Sequence, residues 1–184
     1  MTSAGSVVGH EHLRLFCALR LPDELVDGIE RWQHEQLAGG GRLVTHGNLH
    51  ATLAFLGRQP ASELPAIADA LRAAAAETGE IVLSSSRYRE TRSVGMLVLE
   101  DETGEGARLA GRLFDGLERL GVFEREQRPW LPHVTVLRYR ERPRLRPPVP
   151  ELGSFAPSDA AVYMSSLRPT GAEYAVLEAV PLGG

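Results

Sequence analysis

Residues 48–57, NLHATLAFLG, hold a histidine and a threonine separated by one apolar residue, within a mainly apolar run. Residues 131–140, LPHVTVLRYR, repeat this His-x-Thr pattern in the second half of the chain. Both segments have the composition of buried β-strands, in which side chains two positions apart share a face. The repeat therefore predicts two similar lobes that each present an imidazole and a hydroxyl to a shared cleft.

Strand alternation assigns the side chains of both motifs to faces. In the first motif His50 and Thr52 project together, whereas Phe55 falls on the opposite, apolar face. In the second motif His133 and Thr135 project together. We therefore expect a cleft that holds two histidines and two threonines.

The remaining sequence predicts strands in pairs between helices, which favours an α+β fold over a doubly wound parallel sheet. We expect a bilobal, pseudo-symmetric arrangement in which each lobe is an antiparallel sheet with packed helices and the active cleft lies between the lobes. Strands are predicted over residues 12–21, 41–46, 49–57, 81–90, 93–100, 131–140, 159–167 and 172–180, and helices over 22–38, 60–77 and 103–120. The proline-rich segment 141–150 is predicted to be irregular. Residues 12–184 form the single predicted domain, and residues 1–11 a disordered tail.

Composition is that of a globular protein, with 43% hydrophobic and 24% charged residues. No apolar run reaches the roughly 20 residues that a membrane span needs, and the N-terminus lacks the features of a secretory signal. The one cysteine, Cys17, lies in an apolar run, so we predict a buried, inert thiol. With no disulfide framework, a cytoplasmic location is the expectation.

Arginines are concentrated in one segment, although the net charge of −4 argues against a general nucleic-acid coating protein. Seven arginines but only two acids lie between Arg125 and Arg146. The segment is either a solvated loop or a phosphate-binding rim, because the guanidinium group suits phosphate oxygens. The sequence leaves both interpretations open.

Two histidines in one cleft suit attack on a phosphodiester. One neutral imidazole takes a proton from the attacking oxygen, and one imidazolium gives a proton to the leaving oxygen. The ordinary histidine pKa of about 6.5 allows both states near neutral pH. Threonine hydroxyls can donate hydrogen bonds to the non-bridging phosphate oxygens. A single His-x-Thr is usually a core histidine, and only the duplication points to chemistry.

This scheme requires no metal ion and no cofactor. His46 precedes His50 by four residues, but Gly47 and Asn48 break any helix that would bring the two rings together. We therefore predict no structural zinc site.

The segments NLHATLAFLG and RPWLPHVTVLRYR resemble the paired motifs of the two-histidine phosphoesterase superfamily. They are most similar to its bacterial and archaeal RNA 2′,3′-cyclic phosphodiesterases, also called 2′-5′ RNA ligases. The start RLFCALRLPDEL and the end YMSSLRPTGAEYAVLEAVPL are similar to that family's first strand and helix and to its closing hairpin. The resemblance thus extends over most of the chain.

The resemblance implies metal-independent hydrolysis of a 2′,3′-cyclic phosphate, at an RNA end or on a small nucleotide, to a 2′-phosphate. It implies catalytic roles for His50 and His133, one as base and the other as acid, and phosphate binding by Thr52 and Thr135. The sequence leaves the order open, and we take His133 as the base and His50 as the acid. Arg138 matches the arginine of the family pattern H-x-T-x-x-R. Strict alternation points Arg138 away from the cleft, so it contributes only if the strand twists or bulges.

One segment departs from the family pattern. TRSVGMLVLE (91–100) lacks the proline-arginine pair and the tryptophan of relatives, leaving Arg92 as a substitute arginine. Trp130 and Tyr88 are candidate base-stacking residues, with the core as the alternative location. Ligation of RNA ends through a 2′-5′ bond and non-catalytic binding of RNA ends remain alternative functions. We expect a monomer.

Overall fold

The computed structural model describes residues 12–183, within which it contains three α-helices and eight β-strands. The strands are β1 (His12–Arg20), β2 (Arg42–Leu43), β3 (Ala51–Pro60), β4 (Leu83–Glu90), β5 (Val94–Asp101), β6 (His133–Arg138), β7 (Asp159–Arg168) and β8 (Gly171–Val180). The helices are α1 (Asp23–Gln36), α2 (Leu64–Ala76) and α3 (Glu105–Arg119). The predicted α+β class is confirmed. The predicted disordered tail, residues 1–11, lies outside the described residues.

The strands form one antiparallel sheet with the order β4-β5-β6-β3-β1-β7-β8, and β2 pairs with β6. At the centre of the sheet, β3 and β6 are paired only through Ala51 and Val134. This pair joins two strand groups, β4-β5-β6 and β3-β1-β7-β8, and each group carries one His-x-Thr motif. Both groups belong to one continuous sheet, and this topology alone does not divide the chain into two lobes. The bilobal arrangement therefore stays a prediction.

The three helices pack on one face of the sheet. The odd-numbered side chains of β1 are buried in one cluster with Ile29 of α1, Leu71 of α2 and Leu113 of α3. Phe16 and Ala18, between them in sequence, belong to a separate cluster on the opposite face. One face of the sheet is therefore the core, and none of the helices within residues 12–183 lies on the other face.

Two expectations from the composition concern the single cysteine and membrane-spanning segments. Cys17 is fully buried, and burial raises the pKa of its thiol to about 12, so the predicted inert thiol is confirmed. No helix among residues 12–183 is long and apolar enough to cross a membrane.

Two β-bulges in β3 change the faces that strict alternation assigns. Ala18 lies opposite Thr52 and Phe16 opposite Phe55, so β3 has one extra residue in this interval. A second shift follows at Gly57, whose φ of 66° costs glycine no steric strain. Thr52 and Phe55 therefore share the helix-free face. The prediction that Phe55 lies opposite the first motif is wrong.

A bulge in β6 has the same effect on the second motif. Consecutive residues of β5 lie opposite Thr135 and Leu137, which leaves Val136 as the extra residue. Val136 and Leu137 are both fully buried, so the alternation changes phase between them. Arg138 consequently lies on the same face as Thr135.

Gln33 of α1, which is itself buried, supports the bulge in β6. Its Nε2 donates hydrogen bonds to the carbonyl of Val136 at 2.7 Å and to the carbonyl of Val44 at 3.0 Å. The Val136 carbonyl also accepts a bond from the Val44 N–H at 3.0 Å. One side-chain amide thus connects the helix layer, the bulge and the segment after β2.

The strand before the first motif is shorter than predicted. The strand expected over residues 41–46 is limited to Arg42–Leu43, and a 3₁₀ turn follows at His46–Asn48. The Gly47-Asn48 pair favours this turn, because both residue types suit turn backbone. As a result, His50 lies just before β3 rather than inside it.

The proline-rich segment 141–150 is irregular, as predicted. The buried carboxylate of Glu90 accepts hydrogen bonds from Arg142 Nε at 3.0 Å and from the N–H groups of Arg144 and Leu145 at 2.9 and 2.7 Å. These bonds replace the regular pairing that proline prevents.

Replacing Gln33 by leucine should lower the free energy of unfolding by about 1–3 kcal/mol, because two buried hydrogen bonds lose their donor. Chemical denaturation measures this loss. Gln36→Leu, on the exposed side of the same helix, is the matched control and should leave stability nearly unchanged. Equal stabilities of the two variants would contradict a supporting role for Gln33.

Candidate functional site

A cavity of about 490 Å³ opens on the helix-free face of the sheet. Its walls include β3, β6, the 3₁₀ turn before β3 and the turn between β7 and β8. The lining residues that matter below are Arg42, His50, Thr52, Phe55, Thr135 and Arg138. Four of the five predicted site residues therefore line one cavity. The fifth, His133, is not part of the wall but lies on the same face, two positions before Thr135.

His50 lies against an aromatic cluster. The centroid of its ring is 5.0 Å from that of Phe16, 5.4 Å from that of Tyr174 and 5.7 Å from that of Tyr163. The pKa of His50 is lowered to about 4, mainly by burial and to a smaller extent by the nearby charges of His133 and Arg138. His50 is therefore neutral at neutral pH when the cavity holds no anion.

Backbone carbonyls orient both imidazoles in the same way. His133 Nδ1 donates to the carbonyl of Leu131 at 2.8 Å, two residues upstream. His50 likewise hydrogen-bonds the backbone of Asn48, two residues upstream, while its Nε2 lies 3.1 Å from Thr52 Oγ1. In each ring the Nε2 atom is left for contacts on the helix-free face.

The single β3–β6 pair arranges the two motifs. Ala51 and Val134 lie opposite each other in antiparallel strands, so the neighbouring positions bring His50 next to Thr135 and Thr52 next to His133. The two histidines are then diagonal neighbours, for which separations of about 7–8 Å are usual. That spacing leaves room for one phosphate group between the rings.

Arg138 reaches the cavity because of the bulge in β6. Arg42 of β2 lies directly opposite Arg138, and both side chains line the cavity. Two opposed guanidinium groups repel each other across a strand pair. A bound anion between them would remove this repulsion, which makes the pair a candidate anion site.

Sequence patterns did not predict the contribution of the β7–β8 turn. Asn48 Nδ2 donates to the carbonyl of Ala172 at 2.9 Å, and Arg42 Nη1 to that of Thr170 at 3.3 Å. Both bonds hold the turn against the cavity. Phe55 was missed as well, because the bulge at Leu53 that turns it contains no glycine or proline that would signal a bulge in the sequence.

The two residues that the sequence suggested for base stacking, Trp130 and Tyr88, do not line the cavity. Trp130 packs against the main core, and its Nε1 donates to the carbonyl of Thr52 at 3.0 Å, which links the segment before β6 to β3. Tyr88 packs against the same core and meets Trp32 edge to face. The alternative location in the core is correct for both residues.

The arginine-rich segment does not form one rim around the cavity. Arg125 pairs with Asp115 and Glu118, and Arg128 pairs with Glu126. Arg142 is tied to Glu90, and of the seven arginines only Arg138 lines the cavity. Arg92 is exposed in the β4–β5 turn and does not line the cavity either.

His46 takes no part in the candidate site. Its Nε2 lies 3.0 Å from Asp27 Oδ1 of α1, and these two residues form with Glu30 a group within 4.8 Å that could hold a metal ion. His46 and Asp27 are exposed, and exposed acidic groups of this kind are common without a metal. None of the three residues lines the cavity.

Sequence comparison relates the chain to a known family. The profile of the 2′-5′ RNA ligase superfamily matches residues 21–167. The RNA 2′,3′-cyclic phosphodiesterase of Escherichia coli is 30% identical over 172 residues, which cover 91% of this chain and 96% of the relative. The protein of that name from Thermus thermophilus is 32% identical over 182 residues, covering 94% of this chain and 91% of the relative.

Solved structures of similar proteins have the same fold. Escherichia coli LigT complexed with 3′-AMP has a TM-score of 0.82 at 27% identity, covering 95% of this chain and 100% of LigT. TT0787 of Thermus thermophilus has a TM-score of 0.80 at 29% identity, covering 94% of this chain and 99% of that protein.

The low pKa of His50 should make the protein less stable in acid. Between pH 6.5 and about 4, the unfolded chain binds a proton at His50 that the folded chain does not, so the free energy of unfolding falls as pH falls. Denaturation at several pH values should show a flatter profile for His50→Gln than for the natural chain. His34→Gln, an exposed change on α1, should keep the natural slope. An unchanged slope in His50→Gln would rule out this contribution.

Proposed function

The chain belongs to the 2′-5′ RNA ligase superfamily, and from this premise we propose that it is an enzyme that hydrolyses RNA 2′,3′-cyclic phosphate ends to 2′-phosphates. The observation that carries the proposal is that His50 and Thr52 of the first motif and Thr135 of the second line one cavity, with His133 on the same face of the sheet. Two relatives of about 30% identity named RNA 2′,3′-cyclic phosphodiesterase support the same reaction.

The burial of His50 bears on which histidine acts as base. A neutral imidazole can accept a proton, and the lowered pKa keeps His50 neutral at neutral pH. This favours His50 as the base and His133 as the acid, the reverse of the assignment made from the sequence. The backbone bond to Leu131 fixes the ring of His133 and leaves its Nε2 to carry the proton that is donated.

The reaction balances with water as the only co-reactant. His50 takes a proton from water as its oxygen attacks phosphorus, and the bond between phosphorus and the 3′-oxygen breaks. His133 gives a proton to that 3′-oxygen, which leaves a 3′-hydroxyl and a 2′-phosphate. Proton exchange with solvent returns both rings to their initial states.

The remaining polar groups of the cavity bind the phosphate. The hydroxyls of Thr52 and Thr135 donate to its non-bridging oxygens without adding charge. Arg138, with Arg42 opposite, supplies positive charge that stabilises the additional negative charge of the transition state. All of these groups come from a single chain, so a monomer suffices for the reaction. A single cysteine fits a reducing compartment, which supports a cytoplasmic location.

The direct test is incubation of EDTA-treated protein with an oligonucleotide that ends in a 2′,3′-cyclic phosphate. We expect a 2′-phosphate product, identified by its sensitivity to phosphatase and by mass. Joining to an added 5′-hydroxyl oligonucleotide would instead favour the ligase. Binding without any turnover would favour a non-catalytic RNA-end-binding protein and contradict the proposal.

Changing His50 or His133 to alanine should each lower kcat by about 10²-fold or more, because each change removes one proton transfer. His46→Ala is the matched control, since this histidine lies four residues before His50 but outside the cavity, and it should keep the activity of the natural chain. Losses below about tenfold in both site variants would contradict acid–base catalysis by this pair.

Arg138→Gln should lower kcat/KM by about 10–100-fold, because a charged hydrogen-bond donor to the reacting phosphate is lost. Arg138→Lys should restore part of the activity, since it keeps the charge but not the planar geometry. Arg140→Gln, an exposed change just after the same strand, is the control. Equal kinetics for Arg138→Gln and Arg140→Gln would remove Arg138 from the site.

A further inference from the structure

Arg14 of β1 and Arg58 of β3 lie directly opposite each other in the sheet. Both are exposed, and both project from the face that carries Phe16 and Thr52, because Arg14 alternates with the core residues of β1. Within residues 12–183 neither guanidinium forms an ion pair with a carboxylate. The pair is thus a concentrated, uncompensated positive charge on the face of the site.

Directly opposed like charges destabilise a strand pair, so this arrangement is costly for folding alone. The strand register contains a second pair of this kind, Arg42 and Arg138, which lines the cavity where the phosphate is proposed to bind. In that pair, the bound phosphate would offset the repulsion between the two guanidinium groups. Arg14 and Arg58 have no comparable explanation within the catalytic cavity, because they do not line it.

Phe55 connects the cavity to this arginine pair. The two bulges of β3 bring Thr52, Phe55 and Arg58, spaced by three residues, onto one face. Phe55 lines the cavity and yet is 70% exposed, so its ring is available on the sheet surface. Arg58 lies about 13 Å along the sheet from Thr52, because β1 advances only four residues, from Ala18 to Arg14, over the same interval. A phosphate bound at Arg58 is therefore a different one from the phosphate held in the cavity.

We propose that Arg14 and Arg58 bind a backbone phosphate of the RNA chain on the 5′ side of the reactive end, with Phe55 stacking on a base between the two phosphates. The proposal rests on the proposed function and deepens it, because it makes an oligonucleotide end the preferred substrate over a mononucleotide. Exposed aromatic rings together with a positively charged surface are the usual means of binding single strands without sequence preference.

The test compares a fluorescent oligonucleotide ending in a 2′-phosphate, which is not turned over, with the mononucleotide 2′,3′-cyclic AMP as a substrate. The double variant Arg14→Gln/Arg58→Gln should raise the Kd of the oligonucleotide about tenfold. It should also reduce the slope of log K against log salt by about 0.7 for each phosphate that the variant no longer neutralises. Its kcat/KM for 2′,3′-cyclic AMP should match the natural chain. Phe55→Ala should weaken oligonucleotide binding, and Phe55→Trp should restore it.

The matched control is Arg31→Gln/Arg119→Gln. These arginines are also exposed, but they belong to α1 and α3, on the opposite side of the sheet from the cavity. The control should bind the oligonucleotide as the natural chain does. An equal or larger effect in this control, or no effect of either double variant, would overturn the proposal. Failure of the natural chain to cleave any cyclic phosphate would count against the proposed function, while the binding measurement still decides on the arginine pair.

A charge reversal at Arg58 distinguishes an effect on RNA binding from an effect on the stability of the fold. Arg58→Glu creates an opposite-charge pair with Arg14 across the two strands, so the thermal midpoint should stay equal or rise. Oligonucleotide binding should fall more than in the glutamine variants, because the glutamate repels phosphate. Parallel losses of stability and binding would show that the two arginines act through the fold and would overturn the proposal.

Discussion

The pairing of Ala51 with Val134 is the contact on which the candidate site depends. It joins β3 to β6, and its antiparallel direction brings each histidine next to the threonine of the other motif. Because these strands share only this one pair, the sheet can diverge on either side of it. The cavity lies at this junction, where His50, Thr52 and Thr135 line it.

The strand bulges next to this junction determine which side chains enter the cavity. The bulge at Val136 turns Arg138 towards it, and the first bulge in β3 does the same for Phe55. Two of these bulges have local support, since Gln33 binds the Val136 carbonyl and Gly57 adopts a positive φ without strain. The helix layer thus contributes to the site by stabilising irregular backbone in the strands that carry it.

Much of the fold follows from local sequence patterns. Apolar runs bounded by turn residues predicted most strands and helices within a few residues, and the duplicated motif identified His50, Thr52 and Thr135 as cavity residues. The short strand before His50 was overestimated, because a 3₁₀ turn replaces most of it. Strict alternation failed for Phe55 and left Arg138 undecided, since a bulge depends on contacts with other elements that strand periodicity does not contain.

The sequence by itself determined the chemistry that the chain offers, because imidazole, hydroxyl and guanidinium groups are properties of residue types and their duplication is visible along the chain. Only the tertiary structure decided how these groups act together. The aromatic cluster that buries His50 is assembled from β1, β7 and β8, and this burial lowers its pKa. Likewise, the opposed arginines Arg14 and Arg58 are 44 positions apart in sequence. Their repulsion arises only from the register of two strands, which is fixed by packing on the helix layer.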